Sequence, residues 1–146
     1  MLPDFIENGN LPPGVHDATW QDITERFGYN THRRRLIEGL RNALLSLKHA
    51  GCKQIYLNGS FVTDKTFPGD FDCCWDEEEV DGGLLDPVLL MFDDGRAAQK
   101  AKFLGELFPA HAAGSRDKIF VDFFQQDKNS GEPKGIVSIN LREENL

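Results

Sequence analysis

The stretch Leu57-Asn58-Gly59-Ser60-Phe61, followed after a short spacer by Asp70-Phe71-Asp72, decides how this chain is read. Residues 54–58 form a short apolar strand, which Gly59-Ser60 turns out of the sheet, and a brief helix or loop leads to Phe67-Pro68-Gly69. Residues 70–75 alternate as a second strand. Side chains two apart on a strand share a face, so Asp70 and Asp72 project together while Phe71 and Cys73 point to the core. Adjacent carboxylates repel, and a divalent cation between them turns that repulsion into attraction. Hard oxygen donors at this density suit magnesium or manganese. Glycine lets another group approach the backbone closely, and the free N–H groups of the turn with the Ser60 hydroxyl can hold a phosphate. Lys65, between the turn and the acids, is in reach of a triphosphate; its plain reading is a solvated loop lysine.

Working outward, residues 31–50 carry Leu36, Ile37, Leu40, Leu44, Leu45 and Leu47 at helical spacing, and Gly51 supplies the stop. Residues 17–27 read as a short helix capped by Asp17, and Pro3, Pro12, Pro13 and Gly14 make residues 1–16 an extended lead-in. Residues 88–92 fit a strand or a buried helical turn equally. Ala97, Ala98, Ala101, Leu104 and Leu107 predict a second main helix over 95–107. A third strand follows at 118–125 and a fourth at 135–141. The pattern is α/β (α+β): a single domain over residues 1–146, with a mixed β-sheet of about four strands packed with helices. Asp122, between Val121 and Phe123, lies in the third strand, where an ionised side chain is costly unless its face opens onto a site or it meets an Arg or Lys partner in a core ion pair. If that strand neighbours residues 70–75, Asp70, Asp72 and Asp122 converge opposite the Gly59-Ser60 turn.

The order of a hydrophobic strand, Gly59-Ser60, a spacer, Asp70-x-Asp72 and a later lone Asp122 on a strand resembles the nucleotidyltransferase superfamily typified by DNA polymerase beta. The resemblance covers residues 54–75 and 118–124, and the helix at 31–50 stands where that fold packs its first helix. It implies that Asp70 and Asp72 hold two magnesium ions on a nucleoside triphosphate such as ATP, with Asp122 completing the second metal site. The implied reaction is two-metal transfer of a nucleotide to an acceptor hydroxyl on a protein or small molecule, with loss of pyrophosphate. The smallest relatives of this kind are minimal nucleotidyltransferases that act as antitoxins, some by adenylylating a partner toxin. A cognate toxin protein is therefore the implied partner. Two other readings stand beside this one: a catalytically silent domain that neutralises a partner by binding, and a tRNA-directed toxin.

The bulk properties narrow the classes. A net charge of −8 argues against holding extended nucleic acid by phosphate neutralisation. No apolar run reaches the length of a membrane span, and no signal segment is visible at the start, so a cytoplasmic protein is expected. Cys52, Cys73 and Cys74 read as reduced core thiols, and the scattered histidines argue against zinc. The acid run 76–81 lacks calcium-loop spacing and reads as a solvated loop near the site mouth. The basic run His32-Arg33-Arg34-Arg35 reads as a solvated helix start or a docking patch. Arg96 and Lys100, a turn apart, read as soluble helix surface or a phosphate clamp.

Overall fold

A computed structural model describes residues 2–146. Five strands form one mixed sheet: β1 (Val15–Asp17), β2 (Gln54–Asn58), β3 (Phe71–Trp75), β4 (Gly105–Pro109) and β5 (Ile136–Asn140). Their spatial order is β1-β5-β2-β3-β4, with β1 parallel to β5, β4 parallel to β3, and the two central pairings antiparallel. Four helices accompany the sheet among the described residues: α1 (Trp20–Phe27), α2 (Thr31–His49), α3 (Asp93–Phe103) and the one-turn α4 (Phe120–Phe123). The architecture is thus mixed α/β with five strands, one more than the sequence pattern predicts. No helix among these residues is long and apolar enough to cross a membrane.

Alternation in the strands sorts the sheet into two faces. Ile55, Leu57, Phe71, Cys73, Trp75, Leu107, Val137 and Ile139 join one buried cluster with Leu36, Leu40, Leu44 and Leu47 of α2 and Ile23 and Phe27 of α1. The opposite face carries Asn58, Asp72, Cys74, Glu106 and Phe108. There the Phe108 ring stacks on Phe120 at 4.4 Å and meets Phe124 at 5.5 Å, so the segment after β4 covers part of this face.

Several boundaries depart from the sequence expectation, each for a local reason. Asp17 does not cap α1; it belongs to β1 and accepts a hydrogen bond from the Ser138 hydroxyl, while Thr19 and Asp22 form a reciprocal cap. The lead-in is tied down: Leu2 and Leu11 are buried, and the Arg26 guanidinium donates to the Pro3 and Leu2 carbonyls at 2.7 and 2.8 Å. Residues 87–90 form a short 3-10 turn. The helix expected over 95–107 ends at Phe103, where Leu104 takes a left-handed conformation (φ 67°) and Gly105 opens β4. The strand expected over 118–125 is absent. A helical turn brings Phe120 and Phe124, four apart, onto one side, where both reach Phe108; an extended chain would aim them together but some 13 Å apart.

Candidate functional site

One end of the sheet gathers the acids. β2 finishes there at Asn58, β3 begins there, and β4, parallel to β3, begins beside it. The register sets Asn58 across from Asp72 and Asp72 across from Glu106, so the three stand in a row on the face away from the main core. Asp70 flanks the row, one residue before β3.

Gly59 makes this packing feasible. Its φ of +76° is left-handed, and a Cβ there would lie 2.1 Å from Asp72 Oδ2, so only glycine leaves room for the carboxylate. The turn continues as a short 3-10 helix, Gly59–Val62. It is anchored from α2 by Arg33, which is fully buried and donates to the carbonyls of Phe61 (2.8 Å), Thr63 (2.9 Å) and Lys65 (2.5 Å). Arg33 is therefore an internal brace and not part of a docking patch; Arg34 and Arg35 are exposed.

The electrostatics follow from burial and crowding. Burial, then the charges of Asp70 and Glu106 and a hydrogen bond with Glu106, push the Asp72 carboxyl up to about 8. Asp70 is raised by burial and by Glu106, against the pull of Lys100, Arg96 and Lys128. Burial would raise Glu106 too, but hydrogen bonds from Lys100, Asp72 and Arg96 outweigh it and hold that acid below its ordinary value. Glu106 Oε1 lies 3.0 Å from Lys100 Nζ and 3.2 Å from Arg96. Lys134, lowered by burial, feels both Asp127 and Asp72.

The sequence-predicted residues divide. Asp70, Asp72 and Gly59 meet at this end of the sheet. Ser60 is half-buried in the turn, and its carbonyl accepts from the Thr63 hydroxyl at 2.6 Å. Lys65 is exposed, and it takes part in the turn through its backbone: its carbonyl accepts from Arg33 and Tyr29, and its N–H donates to the Thr63 hydroxyl at 3.2 Å. Asp122 does not join the row: it is exposed on α4, in a separate hollow with Lys118, Gln125 and Gln126. Its predicted place is taken by Glu106. Sequence reading missed Glu106 because it fell inside a supposed helix; the signal was Leu104-Gly105, a helix stop followed by alternation through Glu106, Leu107 and Phe108. Arg96 and Lys100 belong to the site as partners of Glu106. The acid run 76–81 leaves from the far end of β3, away from the site, and there Glu77 Oε1 meets His111 Nδ1 at 2.5 Å.

The donor set suits a hard divalent cation. Asp70, Asp72 and Glu106 supply carboxylate oxygens, and Asn58 Oδ1 is buried beside Asp72 with no hydrogen-bond partner. The set is open: among the described residues only Asp76, Glu77 and His111 form a triad with ligand atoms all within 4.8 Å, and Glu106 leans onto Arg96 and Lys100. Residues 3–140 match a family of unknown function, DUF6932. No curated protein and no solved structure matches the chain.

Proposed function

The chain belongs to the DUF6932 family, which has no assigned activity, and we propose from its own residues that it is a divalent-cation-dependent nucleotidyltransferase. The carrying observation is the row of Asp72 and Glu106 on paired strands, flanked by Asp70 and closed by a glycine turn with no room for a side chain beside Asp72. A nucleotidyltransferase-like fold accounts for this order of turn, acid pair and neighbouring acid strand. Asp70, Asp72 and Glu106 would hold magnesium or manganese, which when bound supplies charge stabilisation at the transferring phosphate and a more acidic acceptor hydroxyl.

The protein's own groups have separable tasks. The Gly59-Ser60 turn offers backbone N–H groups and the Ser60 hydroxyl to the nucleoside triphosphate. Asp70 and Asp72 would hold the cation beside that turn, and Arg33 keeps the turn from moving by holding its carbonyls. Lys100 and Arg96 orient Glu106. The acceptor is a hydroxyl on a protein or small molecule, with a cognate toxin protein as one such acceptor. Free buried thiols at Cys52, Cys73 and Cys74 accord with a cytoplasmic setting.

A second reading has one observation in its favour. The ion pairs from Arg96 and Lys100 already neutralise Glu106, as in a silent domain that replaces a cation by side chains and acts by binding a partner. Incubation with each labelled nucleoside triphosphate, magnesium and host lysate separates the two. Transfer of label by the wild type but not by Asp72→Asn supports the transferase; no transfer with any nucleotide supports the silent domain.

A further inference from the structure

The exits of β3 and β4 carry a separate grouping of ligand side chains, at the end of the sheet opposite Asp70, Asp72 and Glu106. The two strands run parallel, with Trp75 paired to Pro109, and the chain leaves both in step: the Ala110 N–H donates to the Trp75 carbonyl at 2.8 Å. Asp76 and Glu77 thereby meet His111, 34 residues further along the chain from Glu77. One ligand atom from each lies within 4.8 Å of the other two. His111 Nδ1 is 2.5 Å from Glu77 Oε1 and 4.0 Å from Asp76 Oδ1. The spacing of histidines along the sequence does not show this grouping, because the pairing of β3 with β4 creates it.

The state of Asp76 points to a cation. Its side chain is only 10% exposed and turned toward His111, yet no Lys or Arg among the described residues pairs with it. Oδ1 accepts from the Glu78 N–H at 2.9 Å, and Oδ2 accepts no hydrogen bond. A carboxylate so far out of water is costly unless a positive charge meets it. The neighbouring acids have theirs, since Glu78 pairs with Lys53 at 3.3 Å and Glu79 pairs with Arg142. Asp76 and Glu77 share one imidazole, which cannot neutralise both. The arrangement is also held in advance: the His111 backbone N–H donates to both Glu77 oxygens at 3.2 Å, which fixes the residue over the two acids. The nearby Cys52 thiol is turned away, with its Sγ 3.4 Å from the Gln54 and Asp76 carbonyls.

We propose that Asp76, Glu77 and His111 form a zinc site that clasps the ends of β3 and β4, with water in the fourth position. The donor set chooses the metal, because one imidazole nitrogen with two carboxylate oxygens suits a borderline ion, whereas oxygen donors alone suit magnesium. Bonds of about 2.0–2.1 Å at tetrahedral angles set ligand atoms about 3.3 Å apart. The 2.5 and 4.0 Å separations lie on either side of that distance, so opposite shifts of under about 1 Å close the set around the ion. The half-exposed His111 ring leaves the outer side open to water. β4 is an edge strand with β3 as its one neighbour in the sheet, so a clasp at its far end also steadies Glu106 beside Asp72. The site stands independently of the nucleotidyltransferase reading.

The test is calorimetric titration of the reduced protein with zinc chloride, on wild type, His111→Ala, Asp76→Asn, Asp72→Asn and His49→Ala, the last removing an exposed histidine on α2. Wild type binds one zinc ion tightly, His111→Ala and Asp76→Asn weaken it by about tenfold or more, and Asp72→Asn and His49→Ala retain it. Far-ultraviolet circular dichroism of the metal-free variants shows that they are folded. Zinc also raises the melting temperature of wild type and not of His111→Ala, since a ligand bound only by the native state stabilises it. A wild type that binds no zinc overturns the proposal, as do equal losses in His111→Ala and His49→Ala, which mark adventitious binding to surface histidines. A loss in Asp72→Asn as large as that in His111→Ala, or unchanged binding in Asp76→Asn, overturns it too.

Discussion

Asp72 is an acid held where ionisation is costly, and its stability signature is calculable in direction. In the native protein it keeps its proton up to about 8, whereas an unfolded aspartate releases it near pH 4. Between those values the native state binds more protons than the unfolded state, so its stability falls as pH rises through that interval. Asp72→Asn lacks this penalty. In chelator the variant is predicted to equal wild type near pH 4 and to gain by about 2 kcal/mol at pH 8, since the lowering of Glu106 by the same hydrogen bond offsets part of the rise at Asp72. Denaturation midpoints across that range decide it; a large loss at every pH would mean that Asp72 is a structural ion-pair member. Gly59→Ala is predicted to cost about 1–3 kcal/mol in chelator, because both φ and the space beside Asp72 exclude a Cβ. A denaturation midpoint equal to wild type would show that the turn is not set by this contact. Asp70, Asp72 and Gly59 were legible in the sequence because local spacing alone carries them. Glu106 was not, because its partnership with Asp72 exists only through the pairing of two strands distant in sequence.

At the scale of elements, α2 positions the site and β4 completes it. Arg33 reads in the sequence as one of three surface arginines, yet it is the brace that spans from α2 to the turn after β2. Arg33→Ala is predicted to destabilise the fold by about 3 kcal/mol or more, since it leaves several buried carbonyls without a donor. A loss within about 0.5 kcal/mol, the range of surface substitutions, would return Arg33 to the surface reading. The approach of α3 to α2 depends on Gly39, where a Cβ would lie 2.0 Å from the Phe103 carbonyl oxygen. That contact sits at the junction of α3 and β4, so Gly39→Ala should shift Glu106 as well as lower stability; weaker manganese binding would report the shift, and unchanged binding and stability would refute the coupling. The helices α1 and α2 were legible because their apolar faces are a local signal, although the cap of α1 is Thr19 and not Asp17. The segment 118–125 misled because its dense aromatics suit a strand or a helical turn, and the contact that chooses between them, Phe108, belongs to an unrecognised strand.

Over the whole molecule, the acidic charge is placed away from the proposed chemistry. The run 76–81 lies beyond the far end of β3, while Arg35, Arg96, Lys100, Lys128 and Lys134 are drawn around Asp70, Asp72 and Glu106. A polyanion meeting this end encounters local cations despite the net charge of −8. The same arrangement separates the two functional readings, because cations that only neutralise Glu106 leave no demand for a metal, whereas a site for cation and triphosphate uses both. The most direct measurement is manganese titration of wild type, Asp72→Asn, Glu106→Gln and Asp122→Asn by calorimetry. The account predicts binding in wild type and Asp122→Asn, and a loss of about tenfold or more in affinity in Asp72→Asn and Glu106→Gln. Full binding by Glu106→Gln, or loss of binding in Asp122→Asn, would contradict it.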